Sequence, residues 1–323
     1  MPVKGELLYF RGRRNLDAIF RSLSATTELD KATEVLVTGC SAGGLAVLLH
    51  GDRIRGLLRS KAIKKFKKIA SSGFFLKHPN VYKENVYKDE MMTAMQMQQV
   101  NLSETRSVFA QDVFPSIQHP IFVINSAFDI WQSCCIWAGA VGNPINGGCG
   151  AAKSFYGCAH DIETCSVSQV NLAQQYADDF VATLTSSQTL RNTQNGAFIH
   201  TCMTHCEAFT DSSWSALEIQ GTTMQRAVSL WWNQAQEISG GGWGSGGSRG
   251  GNSVAASGLV LAPHREKNNK QRNTNVYLPS CQFHNRTHPR ACNPSCPAGI
   301  LPPSPGSPQY HYWGWCAGQP HRA

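Results

Sequence analysis

A serine enclosed by glycines is the segment of this sequence whose residue types and spacing most directly suggest chemistry. Gly39-Cys40-Ser41-Ala42-Gly43 matches the pattern G-x-S-x-G and lies between a predicted strand and a predicted helix. On such a turn the serine hydroxyl points outward as a nucleophile, and the N–H of the next residue, Ala42, points at a developing oxyanion. The alternative is a glycine-rich turn that contains a serine by chance.

A nucleophilic serine needs a base, and an acid that orients the base. Asp129 directly follows a predicted buried strand at residues 120–125. The orienting acid is expected just past the carboxyl end of such a strand, after the serine and before the histidine in chain order. The alternative is an aspartate that faces solvent and caps the next helix.

Three histidines compete for the role of base. His205 lies in a loop after a predicted strand at residues 196–200, a position that suits a base, although a surface histidine with no partner is the alternative. His200 lies within that strand and is also compatible with a core or edge position. His50 lies in the helix that follows Ser41 and cannot easily reach back to it. The residues alone leave the choice between His200 and His205 open.

The elements that must position these side chains alternate between strands and helices. Short apolar runs predict buried strands, and apolar residues spaced three and four apart predict helices. This alternation predicts an α/β layered sheet that is mostly parallel. The predicted strands are residues 34–38, 120–125 and 196–200, and the predicted helices are residues 15–24, 45–58, 169–184 and 223–237.

Composition limits the class of protein. The chain has 323 residues, a formal charge of +8, 41% hydrophobic residues and 15% charged residues. These values allow a sizeable core and exclude a fully disordered chain. No run of about 18 apolar residues is present, so no membrane span is expected. The positive charge would attract nucleic acid, but no recognised binding motif supports such a partner.

Cysteine usage gives a further constraint, since the chain has 12 cysteines. An even count at this density favours disulfides and an oxidising compartment. Zinc binding is the alternative, but the sequence has no CxxC pair, and the spacing of Cys202 and Cys206 is weak evidence for a metal. No metal ion or organic cofactor is predicted.

Five segments, in this order, resemble the plant-type pectin acetylesterases, a family whose relatives include the animal carboxylesterase Notum. The resemblance covers about residues 7–237 and implies an α/β-hydrolase-like sheet with helices on both faces. It also implies Ser41 as nucleophile, Asp129 as orienting acid, and His205 rather than His200 as general base and acid. The segments are LYFRG at residues 8–12, LVTGCSAGGLA at 36–46, GFFL at 73–76, NSAFDIWQ at 125–132 and FIHTCMTHC at 198–206.

The sequence departs from the family pattern in two places. In the family the YFRG segment lies well inside the chain, behind a signal peptide, early strands and a loop that supplies further oxyanion-hole donors. Here it comes directly after the first residues, so we expect a domain at residues 1–238 that is incomplete at its N-terminus. The family also tends to carry an acid shortly before GFFL, where this sequence has Ser71 and Ser72.

The end of the chain differs in composition from the rest. Residues 240–251 are almost entirely glycine and serine, which is typical of a flexible linker. We expect residues 239–323 to form this linker and a mostly disordered, Cys- and Pro-rich tail. A small disulfide knot is compatible with four cysteines of the tail: Cys281, Cys292, Cys296 and Cys316.

The family resemblance implies acetylated pectin as substrate, and a secreted enzyme of the extracellular cell wall. Two alternatives stay open, which are a Notum-like hydrolase of lipid esters and a catalytically inactive homologue associated with the wall. The oligomeric state is not predicted.

Two further groups of residues have a functional and a structural interpretation. A lysine cluster is either a solvated face between a helix and a strand or a surface that attracts acidic pectin. Four tryptophans are candidates to stack on sugar rings, although we expect Trp231 and Trp232 to be core residues. The lysines are Lys61, Lys64, Lys65, Lys67 and Lys68, and the other two tryptophans are Trp131 and Trp137.

Overall fold

The computed structural model describes the chain in separate segments. These are residues 2–3, 6–7, 11–98, 100, 107–140, 151–160, 164–234, 273–279, 293 and 295–296. Among the helices in these segments, none is both long and apolar enough to cross a lipid bilayer.

Within the described segments, five parallel strands form the main sheet, and their order across the sheet is their order in the chain. Parallel neighbours need a long crossover connection between them, so the chain leaves and re-enters the sheet at each step. All carboxyl ends therefore lie at one edge, where a site can be assembled from several loops. The strands are β1 (Glu34–Cys40), β2 (Lys65–Ser71), β3 (Ile121–Ser126), β4 (Gly196–His200) and β5 (Val276–Tyr277).

Five helices of ten or more residues pack around this sheet: α1 (Gly12–Thr26), α2 (Ala42–Leu57), α3 (Val86–Met97), α4 (Val167–Ser186) and α5 (Met224–Asn233). Side chains define where two of them begin, since Ser166 and Gln169 form a capping box before α4 and Thr223 caps α5.

Shorter helical segments are Glu28–Lys31, Ala110–Val113, Phe114–Ser116, Ile130–Gln132, Ser133–Trp137, Lys153–Phe155, Tyr156–His160, Gln188–Arg191, Glu207–Phe209 and Asp211–Ala216. Two-residue strands pair Pro2–Val3 with Glu6–Leu7, and Glu218–Ile219 with Thr222–Thr223.

The strands bury side chains on both faces of the sheet. On β3, Ile121 and Val123 join the apolar cluster that includes α2 and α4, whereas Phe122 and Ile124 join the cluster that includes α5. Successive side chains of a strand point to opposite faces, so helices cover both sides. The predicted α/β fold with a mostly parallel sheet and helices on both faces is confirmed.

Strand β2 was not predicted, and its position corrects the interpretation of the lysine cluster. Lys67 and Lys68 are fully buried and, as neighbours on a strand, point to opposite faces of the sheet. The Lys67 ammonium donates to the backbone oxygens of Trp231, Trp232 and Gln234 at 2.6, 3.2 and 3.3 Å, which satisfies carbonyls at the end of α5. Neither lysine is available to attract a polymer.

The Lys68 ammonium is paired with Asp52 of α2 on the other face of the sheet. Asp52 also accepts a hydrogen bond from the Gln118 backbone at 2.9 Å and lies 2.9 Å from the His119 imidazole. Burial alone would raise the pKa of Asp52, but the bonds from His119 and Lys68 hold it far below its usual range. The carboxylate of Asp52 therefore joins α2 to the middle of β2 and to the segment just before β3.

We expect the substitution Asp52→Asn to lower the free energy of unfolding at pH 7 by about 3 kcal/mol, because it leaves the buried Lys68 ammonium without its counter-charge. Since the pKa of Asp52 is depressed in the folded state, its contribution is present above the unfolded value of about 3.9 and is lost as the pH falls. Urea unfolding of both proteins at pH 7 and below pH 4 measures this, and the difference should shrink in acid. Glu28→Gln is the control, since Glu28 and its partner Lys31 are both 79% exposed.

The boundary expected at residues 238 and 239 lies outside the described residues, as does most of the tail. Residues 273–279 are described, and there β5 pairs with β4 in parallel. Cys296 forms a disulfide with Cys202, so it is not paired with another tail cysteine as the predicted knot required. These parts of the tail are attached to the domain by a strand pairing and a disulfide, and the rest of the tail that we expect to be disordered lies outside the described residues. Cys281, Cys292 and Cys316 lie outside the described residues.

Candidate active site

Ser41 lies on the sharp turn between β1 and α2, which we call the elbow (residues 39–44). Its backbone has φ 58° and ψ −125°, a conformation that non-glycine residues rarely adopt. Its N–H donates to the oxygen of Ser71 at the end of β2, at 3.0 Å, which holds the turn in place. Ser41 is partly exposed and Ala42 is exposed, so this turn lies at the surface. Strain of this kind is typical of functional sites.

Glycines permit the close approach that this turn needs, but only Gly39 of the two glycines in the G-x-S-x-G pattern is at such a position. A Cβ on Gly39 would lie 2.5 Å from the Gly43 carbonyl, and one on Gly44 would lie 2.4 Å from the Ser71 oxygen. Gly43 instead faces open space, with nothing within 4 Å of a Cβ placed there. The close contact between α2 and β2 therefore depends on Gly44 and not on the second glycine of the motif.

Asp129 lies three residues beyond β3 and is almost completely buried. One carboxylate oxygen accepts the Gln132 N–H at 3.0 Å, and the other lies 2.8 Å from Nδ1 of His205. The aspartate does cap the following helical turn, as the structural alternative proposed, but it does not face solvent. Both of its oxygens are occupied, which fixes the orientation of the carboxylate towards the imidazole.

His205 belongs to the loop after β4, which we call the base loop (residues 201–207). Its side chain is 3% exposed, and Nδ1 donates to Asp129, so Nε2 is the nitrogen that can take up a proton. Burial alone would lower the pKa of His205, but the carboxylate of Asp129 and, next, that of Glu207 raise the pKa above its ordinary value. A basic imidazole oriented by a buried carboxylate suits general base catalysis.

The two competing histidines have other environments. His200 is fully buried at the end of β4, where Nδ1 accepts the Cys202 N–H at 3.2 Å and Nε2 lies 2.9 Å from Glu207. His50 is the ninth residue of α2, about 12 Å along the helix axis from Ala42. His200 is thus a core residue that supports the base loop, and His50 is remote from the elbow.

A disulfide joins the elbow to the base loop. Cys40, which precedes Ser41, is bonded to Cys206, which follows His205, and both sulfur atoms lie within 4.8 Å of a ring nitrogen of His205. The candidate nucleophile and base are thereby brought together although 164 residues separate them in the chain. Sulfur atoms in a disulfide are not thiolates, so they are not metal ligands in this form.

The prediction of disulfides is confirmed, since Cys158 with Cys165 and Cys202 with Cys296 are also bonded. Cys135 is disulfide-bonded as well. Cys202 and Cys206 thus have different partners, which contradicts the weak metal interpretation of their spacing.

Sequence reasoning missed Glu207 and gave Ser72 no role. The Glu207 carboxylate is 2% exposed, lies beside His200 and accepts a hydrogen bond from the Ser72 hydroxyl at 3.2 Å. Ser72 and Cys206 both have positive φ, at 44° and 63°. Only the spacing of Glu207, two residues after His205, could have pointed to it.

Aromatic rings flank the imidazole of His205. The Phe75 ring stacks against it at a centroid distance of 6.5 Å, and Trp131 packs on Phe75 at 4.7 Å, with Tyr87 beyond. Trp131 is only partly buried, so it stays a candidate to contact substrate. Of the other tryptophans, Trp231 and Trp137 are buried in the apolar core and Trp232 is half-buried against it.

The parallel sheet with helices on both faces, and the sharp serine elbow between its first strand and α2, are those of the α/β-hydrolase fold. The solved structure of the Wnt deacylase Notum from Drosophila has the same fold, with a TM-score of 0.51 and 19% identity over 69% of this chain and 60% of that one. The profile of the pectinacetylesterase family matches residues 2–240, so the chain belongs to this family.

Two relatives show how far the similarity extends. Pectin acetylesterase 11 of Arabidopsis thaliana is 30% identical over 237 residues, covering 69% of this chain and 58% of that protein. The palmitoleoyl-protein carboxylesterase NOTUM of Schmidtea mediterranea is 26% identical over 244 residues, covering 69% and 41%. The chain thus spans just over half the length of the curated pectin acetylesterases that it matches.

Proposed function

We propose that this chain carries the catalytic centre of a serine carboxylesterase that removes acetyl groups from pectin. In this proposal Ser41 is the nucleophile, His205 the general base and acid, and Asp129 the orienting acid. The observation that carries it is the buried pair of Asp129 and His205, 2.8 Å apart, on a loop bonded through its disulfide to the serine elbow.

The chemistry follows from these positions. Nε2 of His205 takes the hydroxyl proton as Ser41 Oγ attacks the acetyl carbonyl carbon, and the carbonyl oxygen becomes an oxyanion. The N–H of Ala42, the first of α2, stabilises this charge together with the positive end of the helix dipole. His205 returns the proton to the sugar oxygen, which leaves, and the acyl-enzyme remains. Water, deprotonated by the same histidine, then releases acetate and frees Ser41.

Pectin is proposed as substrate because of the family and the net charge. A chain of charge +8 attracts a polymer of galacturonate, and the exposed residues Lys61 and Lys64 remain available for this after Lys67 and Lys68 are excluded. We also propose an extracellular location in the cell wall, with which the disulfides are consistent.

A lipid ester is the second candidate substrate, and the aromatic rings beside His205 favour it. Trp131 is partly exposed and packs on the buried rings of Phe75 and Tyr87, so it offers a hydrocarbon chain an apolar surface near His205. A related flatworm protein is named a palmitoleoyl-protein carboxylesterase. The same serine, histidine and aspartate would act in either reaction.

A comparison of hydrolysis rates for acetyl and palmitoyl esters distinguishes these proposals. We expect the wild-type chain to release acetate from acetylated pectin, and to hydrolyse p-nitrophenyl acetate faster than p-nitrophenyl palmitate. Protein pretreated with a fluorophosphonate, which modifies an active serine, is the control and should release no acetate. Preference for palmitate would support the lipid-ester alternative. Absence of both labelling and hydrolysis would instead support a non-catalytic homologue.

A further inference from the structure

A second carboxylate lies behind the candidate base, and the proposed reaction does not yet use it. Glu207 follows His205 by two residues and is almost completely buried, at 2% exposure. A buried charge is costly unless it is paired and hydrogen-bonded. Buried next to the candidate base, Glu207 must therefore have partners that offset the cost of burying its charge.

The partners of Glu207 keep it ionised. The Nδ1 atom of His200 accepts the Cys202 N–H, so the ring proton lies on Nε2, 2.9 Å from one carboxylate oxygen. The other oxygen accepts from the Ser72 hydroxyl at 3.2 Å and lies 3.4 Å from the Thr204 hydroxyl. Burial alone would raise the pKa of Glu207, but His200, the backbone N–H of Glu207 and the nearby His205 lower it below its ordinary value.

These bonds hold the base loop on both sides of its histidine. On one side, the Cys206 N–H donates to the Ser72 hydroxyl at 2.9 Å, and that hydroxyl donates to Glu207. This chain of bonds supports Cys206 in its left-handed conformation. On the other side, Thr204 touches Glu207 through its hydroxyl and accepts the Ile130 N–H through its carbonyl at 3.3 Å.

The carboxylate also acts on the imidazole through its charge. The ionisable groups of the described residues that act on His205 are Asp129 from the turn after β3 and Glu207 from the base loop. His200 is paired with Glu207, while the elbow contributes the Ser41 hydroxyl and a disulfide that does not titrate. The base therefore has two negative charges near it, of which only one touches it directly.

We propose that Glu207 is a positioning residue of this reaction, whose carboxylate holds the base loop against Asp129 and stabilises His205 in its protonated form. The proposal rests on the proposed function, since His205 must become protonated during serine attack. The transition state therefore gains more from the charge of Glu207 than the resting enzyme with neutral His205 does.

The substitution Glu207→Gln tests this, because it removes the charge and keeps the shape and most of the hydrogen bonds. We expect kcat for p-nitrophenyl acetate to fall about 10- to 100-fold, with KM changed by less than about twofold. Because a nearby negative charge favours imidazolium, we expect the acid limb of kcat/KM to move to lower pH, by about half a unit or more. A merely structural defect would lower activity without this shift.

Three control variants separate charge from geometry. Ser72→Ala keeps the carboxylate and breaks the link to Cys206, so kcat should fall while the acid limb stays in place. Glu207→Asp keeps the charge but shortens its reach, and should behave likewise. Glu28→Gln removes an equal charge at an exposed position and should change neither quantity.

These experiments distinguish failure of the proposed role of Glu207 from failure of the proposed function. If the wild type hydrolyses no ester and Ser41 is not labelled by fluorophosphonate, the proposed function is wrong. If the wild type is active and Glu207→Gln has a wild-type kcat or an unmoved acid limb, the role of Glu207 is wrong. Should Glu207→Gln fail to fold, Glu207→Asp decides, and a wild-type kcat in that variant overturns the proposal.

Discussion

Replacing Ser41 with alanine is expected to lower acetate release from acetylated pectin by at least about 10⁴-fold, because no acyl-enzyme can form without the nucleophile. The fold should remain intact, since the hydroxyl of Ser41 is partly exposed and alanine keeps the same number of backbone bonds. Acetate release and circular dichroism on matched samples measure the two expectations. The same variant should not react with a fluorophosphonate.

Two comparisons make this prediction specific. Ser116→Ala removes a hydroxyl that donates only to the nearby Val113 carbonyl, at 2.8 Å, and should retain wild-type activity. Adding His205→Ala to Ser41→Ala should cause almost no further loss, because residues that act as one unit are not additive. A Ser41→Ala protein with unchanged acetate release would show that another residue carries the reaction.

The sequence was sufficient to predict the parts of the fold in which local pattern and tertiary environment agree. Strands β3 and β4 each contain at least three consecutive apolar residues, and both were predicted within one residue at each end. Strand β2 begins Lys65-Phe66-Lys67-Lys68, and no local rule distinguishes buried lysines from solvated ones. Their burial depends on the end of α5 and on Asp52, which are remote in the chain.

The candidate site likewise contains residues that local sequence patterns indicate and residues that only tertiary packing places there. Ser41 and Asp129 could be proposed as site residues because each follows a recognisable strand, and a parallel sheet brings such strand ends to one edge. The choice between His200 and His205 needed the family resemblance, because one lies at the end of β4 and the other in the loop that follows it. Glu207 was missed because its partners come from three separate segments, and only tertiary packing shows that it is buried.

Removing the disulfide between Cys40 and Cys206 is the second large perturbation that the structure predicts. The bond closes a sequence separation of 166 residues, so the chain-entropy estimate of its contribution to stability is about 5 kcal/mol. We expect the double variant Cys40→Ala/Cys206→Ala to lose about 3–5 kcal/mol of unfolding free energy in urea. Measured losses are often smaller than the entropy estimate, which sets the lower figure.

The bond between Cys158 and Cys165 provides a matched control, because its separation is only 7 residues and the same estimate gives about 2.5 kcal/mol. Loss of stability alone would affect both double variants in proportion to these values. The bond at the elbow differs, since it connects the residue before the nucleophile to the residue after the base. We therefore measure kcat at urea concentrations below the unfolding transition. For Cys40→Ala/Cys206→Ala we expect kcat to fall about 10- to 100-fold, because small displacements of reacting groups greatly lower the rate. For Cys158→Ala/Cys165→Ala we expect kcat to stay near the wild-type value. Equal kcat values in the two variants would mean that the base loop is held in place without its covalent link to the elbow.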